Sequence, residues 1–204
     1  MKSFKFLLPL LLCVIFRMDL SAQDSGTRYG IGVNFAKDFV VADVGSDLSV
    51  MSLPYDFSNI SIVFRSASFR VEPSLGYFRF SSSYSEGSAE AEATTSNWRL
   101  GFNLAVNKET GKMHHYYGIS VGFIFSSVYS KFSSDLFSDK EDDSKTDFFV
   151  GPVLGGEYNF HENLSLGGEI QFNYISLGQY DDSEGDLSVS VITTRAIIVL
   201  RWYF

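Results

Sequence analysis

The sequence predicts an all-β chain that crosses a membrane as a closed antiparallel up-and-down barrel of eight strands, with ten strands as the alternative. Three observations predict it. Apolar residues alternate with small or polar ones in segments of roughly ten residues, short and long links alternate between these segments, and the chain ends in alternating apolar and aromatic residues. Such segments have the length that a tilted strand needs to cross a bilayer, about twice that usual in soluble sheets.

A targeting segment precedes the predicted barrel. Two lysines give a positive start, residues 6–16 form an apolar run, and the Ser-Ala-Gln sequence at 21–23 supplies small residues near a cleavage point. This order is typical of a secretory signal peptide, and the apolar run is too short for a membrane-spanning helix. We therefore expect residues 1–23 to be a cleaved signal peptide and residues 24–204 to form the barrel, with the cut next to residue 22 or 23.

The net charge and the cysteine content of the chain argue against two classes of function, nucleic-acid binding and thiol chemistry. The chain carries 16 basic and 24 acidic residues, a net charge of −8, and removing the expected signal leaves 13 against 23, a net charge of −10. An acidic chain repels phosphate, which argues against nucleic-acid binding. The single cysteine, Cys13, lies in the expected signal, so the mature chain would have no thiol for a disulfide, a thiolate metal site or a nucleophile. We expect no cofactor.

Links between the alternating segments define the predicted strands. Short links are expected at 66–68, 108–112 and 161–163, and long links at 40–57, 85–93, 129–145 and 179–188. The eight strands are placed near 28–38, 58–66, 68–84, 94–107, 113–128, 146–160, 163–178 and 189–204. Alternating short turns and long loops are typical of outer-membrane barrels. Residues 48–53 could be strand rather than loop, which leaves ten strands open.

The last predicted strand carries an apolar face that ends in an aromatic residue. Its members occupy alternate positions and are Ile198, Leu200, Trp202 and Phe204. Aromatic residues at strand ends suit the girdle at a membrane interface. The pattern resembles the last-strand signal of Gram-negative outer-membrane barrels, which the barrel-assembly machinery recognises. The alternative is a soluble strand with chance aromatics.

With these features, residues 28–204 resemble the small Gram-negative outer-membrane β-barrels. These include OmpX-like and OmpA-transmembrane-like barrels, porin-family proteins and the group described as the outer membrane protein beta-barrel domain. Residues 69–78, FRVEPSLGYF, look like the third strand of that group, which carries a Pro and a Gly. The resemblance implies an integral protein of the bacterial outer membrane, in contact with outer-membrane lipid, lipopolysaccharide and the assembly machinery. It specifies function poorly, because this fold hosts porins, adhesins, enzymes and inert anchors.

If the apolar faces meet lipid, strand parity directs a mixed set of charged and polar side chains into the lumen. They are Arg65, Arg70, Glu72, Arg99, Glu157, Glu169, Arg195 and Arg201, together with Asn34, Asn103, Gln171 and Asn173. The interior of an eight-stranded barrel is just wide enough for side chains, and buried charges must pair. We therefore expect Arg–Glu pairs that pack the lumen; the alternative is a charge-selective pore lining. Parity also turns Phe149, Val153, Ile197 and Val199 inward, which favours packing.

The sequence contains no convincing catalytic or metal-binding pattern. His114, His115 and His161 fall in or beside predicted short turns, whereas barrel enzymes need a histidine near the outer rim. Two predicted long loops, within 135–145 and 181–186, are acidic. Clustered carboxylates could hold Ca²⁺ or Mg²⁺, or bridge through divalent cations to lipopolysaccharide, but such charge more often only solvates a loop.

The sequence thus favours a non-enzymatic barrel with a packed lumen and acidic surface loops, in a structural or surface-interaction role. Three alternatives remain open: a narrow passive channel for small solutes, an accessory barrel in secretion or envelope assembly, and an outer-membrane enzyme acting on lipid. The enzyme alternative lacks the His or Ser constellation that it would need.

Overall fold

A computed structural model describes residues 26–44, 47–52, 58–86, 89–133, 138–177 and 189–204. The expected signal peptide lies outside these residues. Among the residues that are described, regular secondary structure is entirely β. No helix in this part of the chain is long and apolar enough to span a membrane.

The described chain forms nine strands. They are β1 (Arg28–Val44), β2 (Asp47–Ser52), β3 (Ser58–Arg65), β4 (Phe69–Glu86), β5 (Ala89–Thr110), β6 (Met113–Ser133), β7 (Ser138–His161), β8 (Leu164–Leu177) and β9 (Val189–Tyr203). Eight of them form an antiparallel ring in the order β1, β3, β4, β5, β6, β7, β8, β9, and β9 pairs again with β1. The predicted eight-stranded up-and-down barrel is therefore confirmed.

Closure between β1 and β9 removes the free edges that an open sheet would expose. The pairing runs from Gly30 opposite Tyr203 to Val40 opposite Thr193. The amide of Phe204 adds a hydrogen bond of 2.8 Å to the carbonyl oxygen of Tyr29. Closure is required in a bilayer, because unpaired backbone groups find no water there.

The predicted long link at 40–57 is partly strand. β1 continues to Val44, and β2 pairs with it from Phe39 opposite Ser52 to Val44 opposite Asp47. β2 has no second neighbour among the described strands, so it extends β1 as a hairpin and does not enter the ring. Residues 48–52 of the segment 48–53 are therefore strand, as the alternative held, and residue 53 lies outside the described residues; the hairpin does not make a ten-stranded barrel.

The prediction that residues 85–93 and 129–145 form long links was largely wrong. The β4–β5 ladder continues to Glu86 opposite Ala89, and the β6–β7 ladder continues to Ser133 opposite Ser138. Their polar composition suggested loops, yet strands that leave the bilayer need no apolar face, since water solvates both sides. Side chains also link this sheet, as in the 2.8 Å hydrogen bond between the Ser81 and Thr94 hydroxyls. The acidic residues 139 and 141–143 thus stand on β7, while 135 and 181–186 lie outside the described residues.

Three short turns lie at one end of the barrel, hereafter the short-turn end; the opposite end is the long-link end. The turn between β5 and β6 is shorter than the predicted 108–112, because β5 reaches Thr110 and only Gly111 and Lys112 connect the strands. Gly111 has φ of 63°, a left-handed conformation that glycine adopts without steric cost. The third turn is also shorter than predicted, since β7 includes His161.

Apolar side chains cover the outer wall of the barrel. Large residues such as Ile60, Leu154 and Ile198 are at least 60% exposed, and they alternate with buried residues along each strand. Tyr77 and Trp98 pair across β4 and β5 with ring centroids 4.5 Å apart. A continuous exposed apolar wall with paired aromatics at its border matches a surface immersed in lipid.

Candidate functional site in the lumen

The alternation of each strand turns all eight predicted lumen charges inward. Each is at most 5% exposed: Arg65, Arg70, Glu72, Arg99, Glu157, Glu169, Arg195 and Arg201. The structure brings six of them together near the short-turn end and holds Arg99 and Arg195 apart from that cluster. We call the six clustered residues the ion-pair plug: Arg65, Arg70, Arg201, Glu72, Glu157 and Glu169.

Glu157 on β7 is the centre of the ion-pair plug. Its carboxylate accepts hydrogen bonds from the guanidiniums of Arg65 at 2.6 Å, Arg70 at 3.3 Å and Arg201 at 3.1 Å. The hydroxyl of Tyr203 donates a further bond of 2.8 Å. Charge-assisted bonds of this kind are about twice as strong as neutral ones, so this carboxylate joins β3, β4, β7 and β9 firmly.

Glu72 on β4 bridges two of the same arginines. It accepts from Arg70 Nε at 3.0 Å and from Arg201 Nη2 at 2.9 Å. Arg70 and Arg201 therefore each contact both Glu72 and Glu157, which closes a cycle of alternating charges. In such a cycle every charge faces opposite charges, so the desolvation cost of burial is offset on all sides.

Glu169 on β8 completes the ion-pair plug mainly through neutral donors. The Tyr116 hydroxyl donates to it at 2.8 Å, the Gln171 amide at 2.5 Å and the Asn103 amide at 3.3 Å. Its carboxylate also lies 3.9 Å from Arg201 Nη2. Asn103 is on β5, so this group connects walls that are not neighbours in the ring.

The ion-pair plug is balanced in charge and shielded by aromatic rings. It contains three arginines and three glutamates. The guanidinium of Arg65 lies 4.3 Å from the ring centroid of Tyr203, and that of Arg70 lies 4.3 Å from the centroid of Tyr116. Cation–π contacts add to the ion pairs where water is excluded. Every carboxylate of the plug is engaged, which leaves none of them as a free acid, base or metal ligand.

The two remaining arginines lie nearer the long-link end. Arg195 Nη1 bonds Asp38 Oδ2 at 3.1 Å. Arg99 stacks its guanidinium 3.6 Å from the ring centroid of Phe149, and no ion pair joins it to another described residue. The lumen therefore has two sections of different chemistry, a balanced plug and a more weakly paired region above it.

Sequence reasoning missed three residues that complete these contacts. Tyr116 and Tyr203 face inward between outward-facing neighbours, so the same parity rule would have found them. Asp38 stood at the predicted end of the first strand and was not assigned to a face. It continues the inward series of even-numbered residues 30–36 on β1. The strand itself extends to Val44, beyond the predicted end at residue 38.

The histidines have ordinary contacts at the short-turn end. His114 Nε2 lies 2.9 Å from the Asn159 amide nitrogen, and its Nδ1 lies 3.7 Å from Glu109 Oε2. His115 and His161 are exposed. Within the described ranges, no group of three or more His, Cys, Asp or Glu side chains is arranged to hold a metal ion.

The last strand has two chemically distinct faces. The four residues of its apolar face are exposed on the outer wall: Ile198, Leu200, Trp202 and Phe204. The residues between them point inward, and Arg201 and Tyr203 join the contacts of the plug. One strand therefore supplies both lipid-facing surface and lumen packing.

Solved structures with a similar fold include several outer-membrane proteins. One is a major outer membrane protein from Thermus thermophilus, 12% identical with a TM-score of 0.50 over 86% of this chain and 99% of that chain. Neisserial surface protein A is 15% identical with a TM-score of 0.47 over 88% and 98%. Ail, the attachment invasion locus protein of Yersinia pestis, is 13% identical with a TM-score of 0.45 over 87% and 97%. At 12% identity, the likeness to the Thermus thermophilus protein shows the fold alone.

Comparison of sequences gives a more specific result. No curated protein matches the chain significantly. A family model described as "Outer membrane protein beta-barrel domain" matches residues 8–194. Since that match spans most of the chain, the protein belongs to the outer membrane protein beta-barrel domain family of the bacterial outer membrane.

Proposed function

We propose that this protein is a non-enzymatic outer-membrane barrel with a closed lumen, which acts through its outer surfaces in a structural or surface-interaction role. The observation that carries the proposal is the ion-pair plug, a buried and charge-balanced cluster that connects opposite walls. A passive channel needs a continuous polar path for water and solute. Here the side chains that would line that path bind one another.

The energy of the plug opposes its opening. A solute that passed it would have to separate Glu157 from Arg65, Arg70 and Arg201, and Glu72 from the last two. Breaking one buried ion pair by removing a partner costs about 3–5 kcal/mol, because the other charge stays buried and uncompensated. Several such pairs share the same cross-section of the barrel, so thermal fluctuation opens it rarely.

The surface that supports an interaction role is the sheet that continues past the aromatic border. From Trp98 to Ala89, β5 extends for roughly 30 Å at about 3.3 Å per residue. Phe80, Tyr84 and Phe132 are exposed on this sheet. A groove of about 330 Å³ crosses it, lined in part by Tyr84, Phe132 and Lys140. Exposed aromatics around a groove outside the bilayer favour contact with another molecule.

Single-channel recording of the refolded protein in a planar bilayer tests the closed lumen. We expect stable insertion without conductance for the wild type, and measurable conductance for Glu72→Ala, which removes one of the two carboxylates that hold Arg70 and Arg201. Arg79→Ala, on the exposed sheet, is the matched control and should stay silent. Steady conductance of the wild type would reject the proposal and make the protein a channel.

A narrow passive channel is the second candidate, and one observation favours it. In the section above the plug, Asn173 and Thr193 have buried polar side-chain atoms without a protein hydrogen-bond partner. Polar atoms of this kind bind water readily, so a hydrated path needs only a local rearrangement of the plug. The bilayer recording separates the two candidates directly.

Export and assembly complete the proposal. We propose that residues 1–23 are removed on export and that the barrel-assembly machinery recognises the face formed by Ile198, Leu200, Trp202 and Phe204. The mature outer wall then lies among outer-membrane lipid and lipopolysaccharide. N-terminal sequencing of the protein from an outer-membrane fraction should begin next to residue 22 or 23; a sequence that begins at residue 1 would refute the processing step.

A further inference from the structure

Arg99 is a buried cation for which the described lumen offers no ion-pair partner. β5 and β9 are four strands apart in both directions around the ring, so Arg99 and Arg195 extend from opposite walls. Apart from the Lys145–Asp147 pair, the buried charges of the described lumen comprise five arginines and four carboxylates. Among these residues there is therefore one more positive than negative charge.

The carboxylates near Arg99 are already engaged. Asp38 holds Arg195 at 3.1 Å, and Glu169 accepts three hydrogen bonds within the plug. Asp147 is bound by Lys145 at 3.3 Å. An unpaired buried guanidinium costs several kcal/mol, and stacking on Phe149 offsets only part of that cost.

A contact across the barrel fixes which residues share the level of Arg99. Asn103 on β5 bonds Glu169 on β8 at 3.3 Å. Arg99 lies four residues beyond Asn103 toward the long-link end, and Asn173 lies four residues beyond Glu169 in the same direction. Arg99 and Asn173 therefore occupy matching heights in the lumen.

Three hydrogen-bond donors at this level lack a protein partner. They are Arg99 Nη2, the amide of Asn173 and the hydroxyl of Thr193, and each belongs to a residue at most 3% exposed. Asn173 and Thr193 are register partners on β8 and β9. An unmade hydrogen bond on a buried donor costs about 1–3 kcal/mol. Guanidinium, amide and hydroxyl donors together form a set suited to an anion.

We propose that this section of the lumen binds a small monovalent anion of the chloride class, held by Arg99, Asn173 and Thr193. One uncompensated positive charge matches one negative charge. An eight-stranded barrel has room for little beyond its own side chains, which favours an ion of about the size of water over a phosphate. The site lies beyond the plug, so it can exist whether or not the lumen conducts.

Chloride-dependent stability tests the proposal. The refolded protein is unfolded with urea in detergent at constant ionic strength, with sodium gluconate replaced stepwise by sodium chloride; gluconate is too large for the site. We expect the unfolding equilibrium constant to fall about tenfold for each tenfold rise in chloride above the Kd. Arg99→Met should abolish this dependence, while Arg79→Met, the exterior control, should retain it. A wild type indifferent to chloride, or an Arg99→Met variant with the wild-type dependence, overturns the proposal.

A second measurement needs no variant. Crystals of the wild type soaked in sodium bromide should give an anomalous difference peak within hydrogen-bonding distance of the Arg99 guanidinium, between it and Asn173. If bromide occupies only surface positions and this level of the lumen holds no peak, the proposal fails. This result decides the question even if Arg99→Met does not fold.

Discussion

Glu157→Gln is the sharpest test of the ion-pair plug, because it removes one charge and keeps the shape of the side chain. Glu157 contacts three guanidiniums within 3.3 Å and is buried. After the change, Arg70 and Arg201 keep only Glu72 and Glu169 as carboxylate partners among the described residues, and Arg65 keeps none. The loss of one partner from a buried pair costs about 3–5 kcal/mol, and three arginines share this partner. We therefore expect the free energy of unfolding to fall by about 4–5 kcal/mol.

Equilibrium unfolding in urea measures this loss, with the fluorescence of Trp98 and Trp202 reporting on the two ends of the outer wall. Glu109→Gln is the matched control. Its carboxylate is 60% exposed and lies 3.7 Å from His114, so its loss should cost less than about 1 kcal/mol. If Glu157→Gln is as stable as this control, the plug does not stabilise the barrel as described.

A double-mutant cycle then separates the pair from its surroundings. Arg65→Met alone removes one of the three guanidiniums around Glu157. If the 2.6 Å contact is the strongest in the plug, Arg65→Met in the Glu157→Gln background should cost less than in the wild type. Additive costs for the two changes would show that Arg65 and Glu157 do not interact energetically.

Three further changes probe packing, the lipid-facing wall and assembly. Gly122→Ala would place a methyl group against the carbonyl oxygen of Leu100 and 2.6 Å from Phe149 Cζ, so it should lower the free energy of unfolding in urea by at least about 1–3 kcal/mol. Gly168→Ala, with nothing nearer than 3.8 Å, should be nearly neutral. Phe102→Arg, midway along the outer wall, should lower the free energy of unfolding measured in lipid vesicles by about 2–4 kcal/mol. A smaller loss would place Phe102 outside the bilayer core. Trp202→Ser should lower the folded yield in cells more than the refolding yield in detergent, and equal losses would contradict a role in recognition by the assembly machinery.

Strand parity predicted the inward charges because lipid imposes a strict rule on the outer wall. A strand in a bilayer must present apolar residues every second position, so the remaining positions are assigned to the lumen without knowledge of the fold. Arg201 and Glu157 were found in this way. Their mutual contact could not be predicted, since it depends on how far each strand is shifted along its neighbours around the whole ring.

The lengths of β5, β6 and β7 were not predicted, because lipid requires apolar residues on the outer wall only within the bilayer. Beyond the bilayer, serine, glutamate and lysine on a strand resemble those of a loop. Backbone pairing to two neighbours still holds residues such as Glu92 and Lys131, which stand opposite each other on β5 and β6. Unlike charges in that position favour the ladder, a signal that appears only once the register is known.

The position of β9 links closure of the barrel to packing of its lumen. Arg201 and Tyr203 belong to the last strand, and both bind Glu157, while Arg201 also binds Glu72. Before β9 pairs with β1, these carboxylates lack two of their donors, and Arg65 and Arg70 alone compensate them. Formation of the β1–β9 seam therefore delivers the charges that complete the plug. We expect an open sheet to be poorly stable for this reason, so that ring closure and lumen packing occur as one cooperative step.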